Sequence, residues 1–555
     1  MRLSSLIVPI AVVAIAGLGW SVLRSHPAPA LPATGDFYRS GLPEIRSLNP
    51  FVSRDATALR YVLAFTHETL VDRDQDGKLR GRAAQSWRSD DGGKTWIFRL
   101  REGLRFSDGS QVTKDDVAFT LRAARDPRLN PKGDMAATLA GLQVAEARDD
   151  RTLVLGGAEP SPNFPLAVGS MVRLVQAAHF LRAIHERAPD CADWDDRFVQ
   201  ALCEVRDAGP GTGPYMLGVQ PDGRPDWVEG SHLTLVANPS GWQRSAEPSS
   251  WHLAGMQIRF VSAEAARLGA LRAGEIDWFS SSSGDDLAAL LAKDQALAEH
   301  YRVVTFDPPH LGHLQITWNC RRPMLAKAEV RRALGMLFDR ETIAREIMKG
   351  QATPARGWFK PGMPEYPDAS AETGFSVAAA RELLQKAGYG PGKEPLRVEI
   401  LCATEAPVLR RIAELAIPSF REAGAELVPV TLEFATVYSR LIAHDFDGVM
   451  IIQYHDPVID PHDFFAIDDN DMGWQDPAAE KLLLDARVDF DPQSRARKYH
   501  EFQRILAREQ PITLLVHQRV QILLHRRFHG AEPGPFGLFP EKFWVEPADQ
   551  LVRTK

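Results

Sequence analysis

Within thirty residues, 92–121, the chain changes period twice: "GGKTWIFRLREGLRFSDGSQVTKDDVAFTL". Gly92 and Gly93 turn the backbone into a strand on which Trp96, Phe98 and Leu100 share one face, and Asp108-Gly109 supplies the next turn. Thr113 then stands where a helix N-cap belongs, with Asp115 and Asp116 in the first turn, where carboxylates complement the helix dipole. These acids are therefore explained by turns and capping. The same alternation recurs along the chain. "WIFRL", "HLTLVAN", "GMQIRFV", "HLQITWN" and "LRVEIL" read as strands; "AEAARLGALRAG", "AEVRRALGMLFDRETIAREIMKG", "VAAARELLQKAG" and "SRARKYHEFQRILARE" carry apolar residues at helical spacing. Helices close on Gly274, Gly350 and Gly388. Interleaving of this kind specifies an α/β (mixed α+β) chain, and 555 residues at 44% hydrophobic content are enough for two or three domains.

The formal charge of −7 is spread through the chain, so no basic face for nucleic acid is expected. Arg2 precedes an apolar run from Leu6 to Leu23, followed by Ala28-Pro29-Ala30. This is the pattern of an export signal over residues 1–30, with the mature chain beginning near Leu31. The run also has the length of a membrane span, which leaves a retained inner-membrane anchor as the alternative. No cysteine lies near its end, so a lipoprotein attachment is not expected. In an exported chain the closely spaced Cys191 and Cys203 read as a local disulfide, while Cys320 and Cys402 are open between pairing and simple burial.

Catalytic motifs fail one at a time. There is no His-Glu-x-x-His, no Cys-x-x-Cys and no Gly-x-Ser-x-Gly, and "GYGPGKE" and "GPGTGPY" lack the spacing of phosphate-binding loops. No catalytic residue, cofactor or resident metal is expected, and an exported hydrolase is the remote alternative.

The segment 83–121 is similar to the signature of the extracellular solute-binding protein family 5, the periplasmic oligopeptide- and dipeptide-binding receptors of ABC transporters. Further family-like segments follow in order: "RSLNPF" (46–51), "GTGPYML" (211–217), "NPSGWQR" (238–244), "LRAGEIDW" (271–278), residues 331–355, "ARELLQKAGY" (380–389) and residues 493–515. The resemblance implies a two-lobed type II periplasmic binding protein fold with an extra N-terminal subdomain and a hinged ligand cleft. Its first lobe would span 31–305, its second 306–510, with a return to the first over 511–555. The strands crossing between lobes would lie near 306–319 and 510–520. The partners implied are a peptide or peptide-like small solute and an inner-membrane ABC permease, with the receptor itself a monomer. Relatives that take nickel chelates, haem, opines or sugars make a non-peptide solute the alternative.

A peptide's terminal ammonium must be neutralised when it is buried. In the family an Asp after a "D-F-D" strand does this, and in "HDFDGVMIIQYHDPVIDPHDFF" (444–465) Asp456 best matches that position, with Asp460 second. Gln453 and Tyr454 flank the suspected anchor. His455, Asp456, Asp460, His462 and Asp463 are also N/O donors of the kind metals accept, although two prolines break their spacing and solvated or capping roles explain them better. Trp318 and Asn319 end the first crossing strand, and Asn49 and Phe51 sit in a loop that lines the cleft in relatives. These four are further lining candidates, core packing being the weightier role for Trp318.

Overall fold

The computed structural model describes residues 34–551 apart from 54, 75–76, 130–138, 140, 282–285, 308–310, 367–373, 391, 394–395, 455–459, 469 and 535–537. The expected signal or anchor, residues 1–30, lies outside the described residues. Among the described residues no helix is long and apolar enough to cross a membrane.

The chain divides into two compact units. One consists almost entirely of the continuous stretch from Asp307 to Val520; the other is assembled from the N-terminal half, Leu287–Phe306 and the C-terminal tail from Gln521. The return thus falls at 520/521, where the sequence reading drew it at 511.

In the continuous unit, six strands form one mixed sheet in the order Ala352–Pro354, Ile512–Gln518, Leu311–Trp318, Gly448–Tyr454, Leu396–Ala403, Ala425–Leu432. The last two pair in parallel and are joined by the helix Pro407–Ala423, a βαβ unit that buries most of Leu396–Ala403. The helix Val377–Ala387 packs against the same core and ends on Gly388, whose φ of 104° belongs to the left-handed region. Trp318, Phe338 and Phe420 fill the centre. Gly448, across from Trp318, makes room for the indole, since a Cβ there would lie 2.9 Å from the ring.

The assembled unit contains a five-stranded sheet, a three-stranded sheet, a small hairpin, and a four-stranded antiparallel sheet in the order Ala84–Arg88, Thr95–Leu100, Thr152–Gly156, Val144–Asp149. Its strand Thr95–Leu100 comes from the 92–121 cassette. Phe98 and Leu100 are buried with Trp96 packed beside them, and the helix Lys114–Arg125 starts at Thr113 in a full capping box with Asp116.

The expected Cys191–Cys203 disulfide is not formed: all four cysteines are free. Cys203 sits in the last turn of the helix Asp196–Glu204, half-buried against the core, while Cys191 precedes that helix and lies 3.9 Å from His185 Nδ1. Each thiol is held by its own local packing.

Candidate functional site

The strand Leu311–Trp318 has a neighbour along each edge, and the side chains on both of its faces are buried. Its even residues Leu314, Ile316 and Trp318 enter the apolar core. The odd residues His313, Gln315 and Thr317 form a row of polar groups that is equally buried, at 0–1% exposure. Such groups persist only when satisfied, and here they satisfy one another. His313 Nε2 lies 2.7 Å from Gln315 Oε1, and Gln315 Nε2 donates to Thr317 Oγ1 at 3.1 Å. An amide oxygen only accepts, so Nε2 carries the proton.

Across the sheet His517 stands opposite His313, with ring centroids 6.0 Å apart; Trp358 meets His313 edge-to-face at 4.6 Å. A bulge between Leu314 and Gln315 in the pairing with Ile512–Gln518 bends the strand at this row. Gln453, two residues past Ile451, which pairs with Gln315, is buried on the neighbouring strand.

The row ends at a cation. Lys360 is 4% exposed and donates from Nζ to the carbonyl of Gln518 at 2.7 Å. Burial pulls its ammonium down to about 7, against the opposing charge of Asp307 and with help from Arg519. Those two are themselves an ion pair at 3.1 Å. Burial also lowers His313 to about 3, with the nearby Lys360 charge adding to the effect. An imidazole that stays neutral at physiological pH is poorly matched to general acid–base work but well suited to hydrogen bonding. The arrangement can therefore recognise polar groups and, through Lys360, meet an anion.

The residues expected to contact ligand are placed as follows. Asp456 and His455 lie outside the described residues, and of Tyr454 only the backbone is described. Asp460 is bound by the Arg487 guanidinium at 2.9 Å; burial raises its carboxyl while Arg487 opposes. Arg487 also reaches Asp463 Oδ1 at 2.8 Å and His462 Nδ1 at 3.0 Å, and His462 Nε2 faces Glu480 at 3.0 Å. A cluster that resembles metal ligands in the sequence is thus organised around a cation. Among the described residues no group of three such side chains could hold a metal.

Asn49 and Phe51 are interior. Asn49 Nδ2 donates to the carbonyls of Leu202 and Val205, and Phe51 packs on Phe119 and Phe180. Trp318 Nε1 donates to Thr513 Oγ1 at 2.8 Å in the core. Asn319 Nδ2 holds the carbonyls of His444 and Phe446 at 2.9 Å. These four side chains serve the scaffold, because each already has its partners inside the fold. His313, His517, Trp358 and Lys360 were not singled out from the sequence. The alternation in "HLQITW" carried a signal for His313; nothing local carried one for Lys360.

The family model described as bacterial extracellular solute-binding proteins, family 5 Middle, matches residues 78–474. Di/tripeptide-binding protein 1 of Pseudomonas aeruginosa is 24% identical over 498 residues, covering 85% of this chain and 87% of that protein. The probable deoxycholate-binding periplasmic protein YgiS of Escherichia coli is 25% identical over 508 residues, covering 86% and 87%. Among solved structures, the MppA periplasmic murein tripeptide-binding protein in its unliganded open form matches with a TM-score of 0.75 at 22% identity, covering 92% of this chain and 97% of that one.

Proposed function

Because the chain belongs to the bacterial extracellular solute-binding proteins of family 5, we propose that it is the receptor of an ABC importer, capturing a peptide or peptide-like solute outside the cytoplasm and delivering it to a membrane permease. The observation that carries this reading is the family match across 78–474 together with near full-length likeness to a di/tripeptide-binding protein. In this reading the family's ammonium anchor is Asp456.

Calorimetry and thermal shift with alanine peptides of two to five residues, their N-acetylated forms and deoxycholate test it. A free peptide at a hundred times its Kd should stabilise the protein by about 2.7 kcal/mol. Asp456→Asn should weaken free peptides by roughly thirtyfold or more, because one partner of a desolvated ion pair is lost, and should affect acetylated ones far less. Stabilisation by deoxycholate with none by any peptide would replace the peptide reading with a steroid one.

A further inference from the structure

In the assembled unit, the short strand Trp278–Phe279 divides its neighbours by pleat. Asp277 is tied to Arg39 and Arg527, and Phe279 joins the core of Leu271, Ile276 and Leu523. Trp278 and Ser280 point the other way. Both are buried, at 4% and 2% exposure, yet among the described residues Trp278 Nε1 and Ser280 Oγ have no hydrogen-bond partner. Tyr61 stacks on Trp278, with ring centroids 5.8 Å apart and planes 22° from parallel, and its hydroxyl, buried too, also lacks a partner among the described residues.

Tyr61 sits in the middle of a π-helical stretch, Leu59–Leu63. A π turn inside a helix is uncommon and frequently marks a functional site. Burial pushes the Tyr61 phenol far above its ordinary range, so it keeps its proton.

We propose that Tyr61, Trp278 and Ser280 form a donor subsite for an acceptor oxygen of the bound solute, a backbone carbonyl or the C-terminal carboxylate of a peptide. The indole N–H can only donate, which fixes the ligand group as an acceptor. Three orphaned donors around one aromatic stack are costly in a folded chain, and a ligand oxygen relieves that cost. Away from water each such bond counts for more than at a surface. The subsite rests on the peptide reading above and deepens it.

The test uses the full exported chain with tri-alanine and tri-alanine amide as probes, in wild type and in Tyr61→Phe, Trp278→Phe and Ser280→Ala. Each substitution removes a donor and keeps most of the shape, so the melting temperature of the free protein should be unchanged or raised. Each should weaken tri-alanine binding by roughly three- to tenfold, the usual worth of one hydrogen bond. Equal losses on acid and amide assign the carbonyl, and a loss confined to the acid assigns the carboxylate. Unchanged affinity in all three variants while wild type binds overturns the subsite and leaves the peptide reading intact. Wild type that binds neither probe overturns both.

Discussion

A single side chain, Lys360, carries a charge that burial disfavours. Its folded value of about 7 lies below the ordinary 10.5. Between those values the unfolded chain binds a proton that the folded one does not, so stability climbs as pH rises through that window. At pH 7 the buried amine is therefore destabilising. Lys360→Met keeps an unbranched chain of similar length at this buried position and removes the penalty. After the hydrogen bond to Gln518 is lost, a net gain of roughly 2–3 kcal/mol is expected at pH 7. The gain should shrink steadily as pH climbs from 7 toward and past the ordinary value of 10.5, because only there does the unfolded amine give up its proton and match the folded one. Denaturant titrations of both proteins at pH 7 and near pH 10 would check this; an equal difference at both values, or a loss at pH 7, would count against a depressed lysine.

At the scale of elements, the strand–turn–helix cassette was legible because its information is local. Thr113 Oγ1 accepts from Asp116 N, and Asp116 Oδ2 accepts from the Thr113 amide at 2.9 Å and its hydroxyl at 2.7 Å. Asp116 also reaches across to the amide of Ala177 at 2.8 Å, fixing the start of the next helix, Ala177–Arg187. Thr113→Ala should cost about 1 kcal/mol, as N-cap losses do. Asp116→Ala should cost more, about 2–3 kcal/mol, since a buried amide of a second element loses its acceptor as well. The double variant should cost less than the sum, because the two residues share bonds; strict additivity in thermal unfolding would contradict the shared box. The polar row was not legible for the opposite reason. In "HLQITW" the alternation of His313, Gln315 and Thr317 with Leu314, Ile316 and Trp318 reads as a half-solvated strand, and only packing from segments distant in sequence, such as Trp358 against His313, buries the polar face as well. Asp460 behaves likewise: its partner Arg487 lies a helix away in sequence, so an acid that looks free along the chain is bound in space.

For the whole molecule, the consequence of the chain path is that the assembled unit needs the C-terminal tail to be complete. Arg527 supplies the tie. Its guanidinium pairs with Asp36 and, at 2.8 Å, with Asp277, and donates to the carbonyl of Phe37 at 2.9 Å; Arg39 closes on Asp277 from the other side at 2.7 Å. Segments from the start, middle and end of the sequence thus meet at one buried charge cluster, and Glu541 repeats the idea by pairing with Arg80 at 3.2 Å. Arg527→Met leaves Asp36 buried without its cation, and breaking such a pair costs about 3–5 kcal/mol. Because each unit has its own core, calorimetry should resolve two transitions, and Arg527→Met should lower only the one belonging to the assembled unit. Lys360→Met at pH 7 should raise only the other. Adding Asp36→Asn to Arg527→Met removes the stranded charge and should recover part of the loss. A single transition that moves with either substitution would show that the two units unfold as one, and the tie would then be holding the entire receptor rather than the half that encloses it.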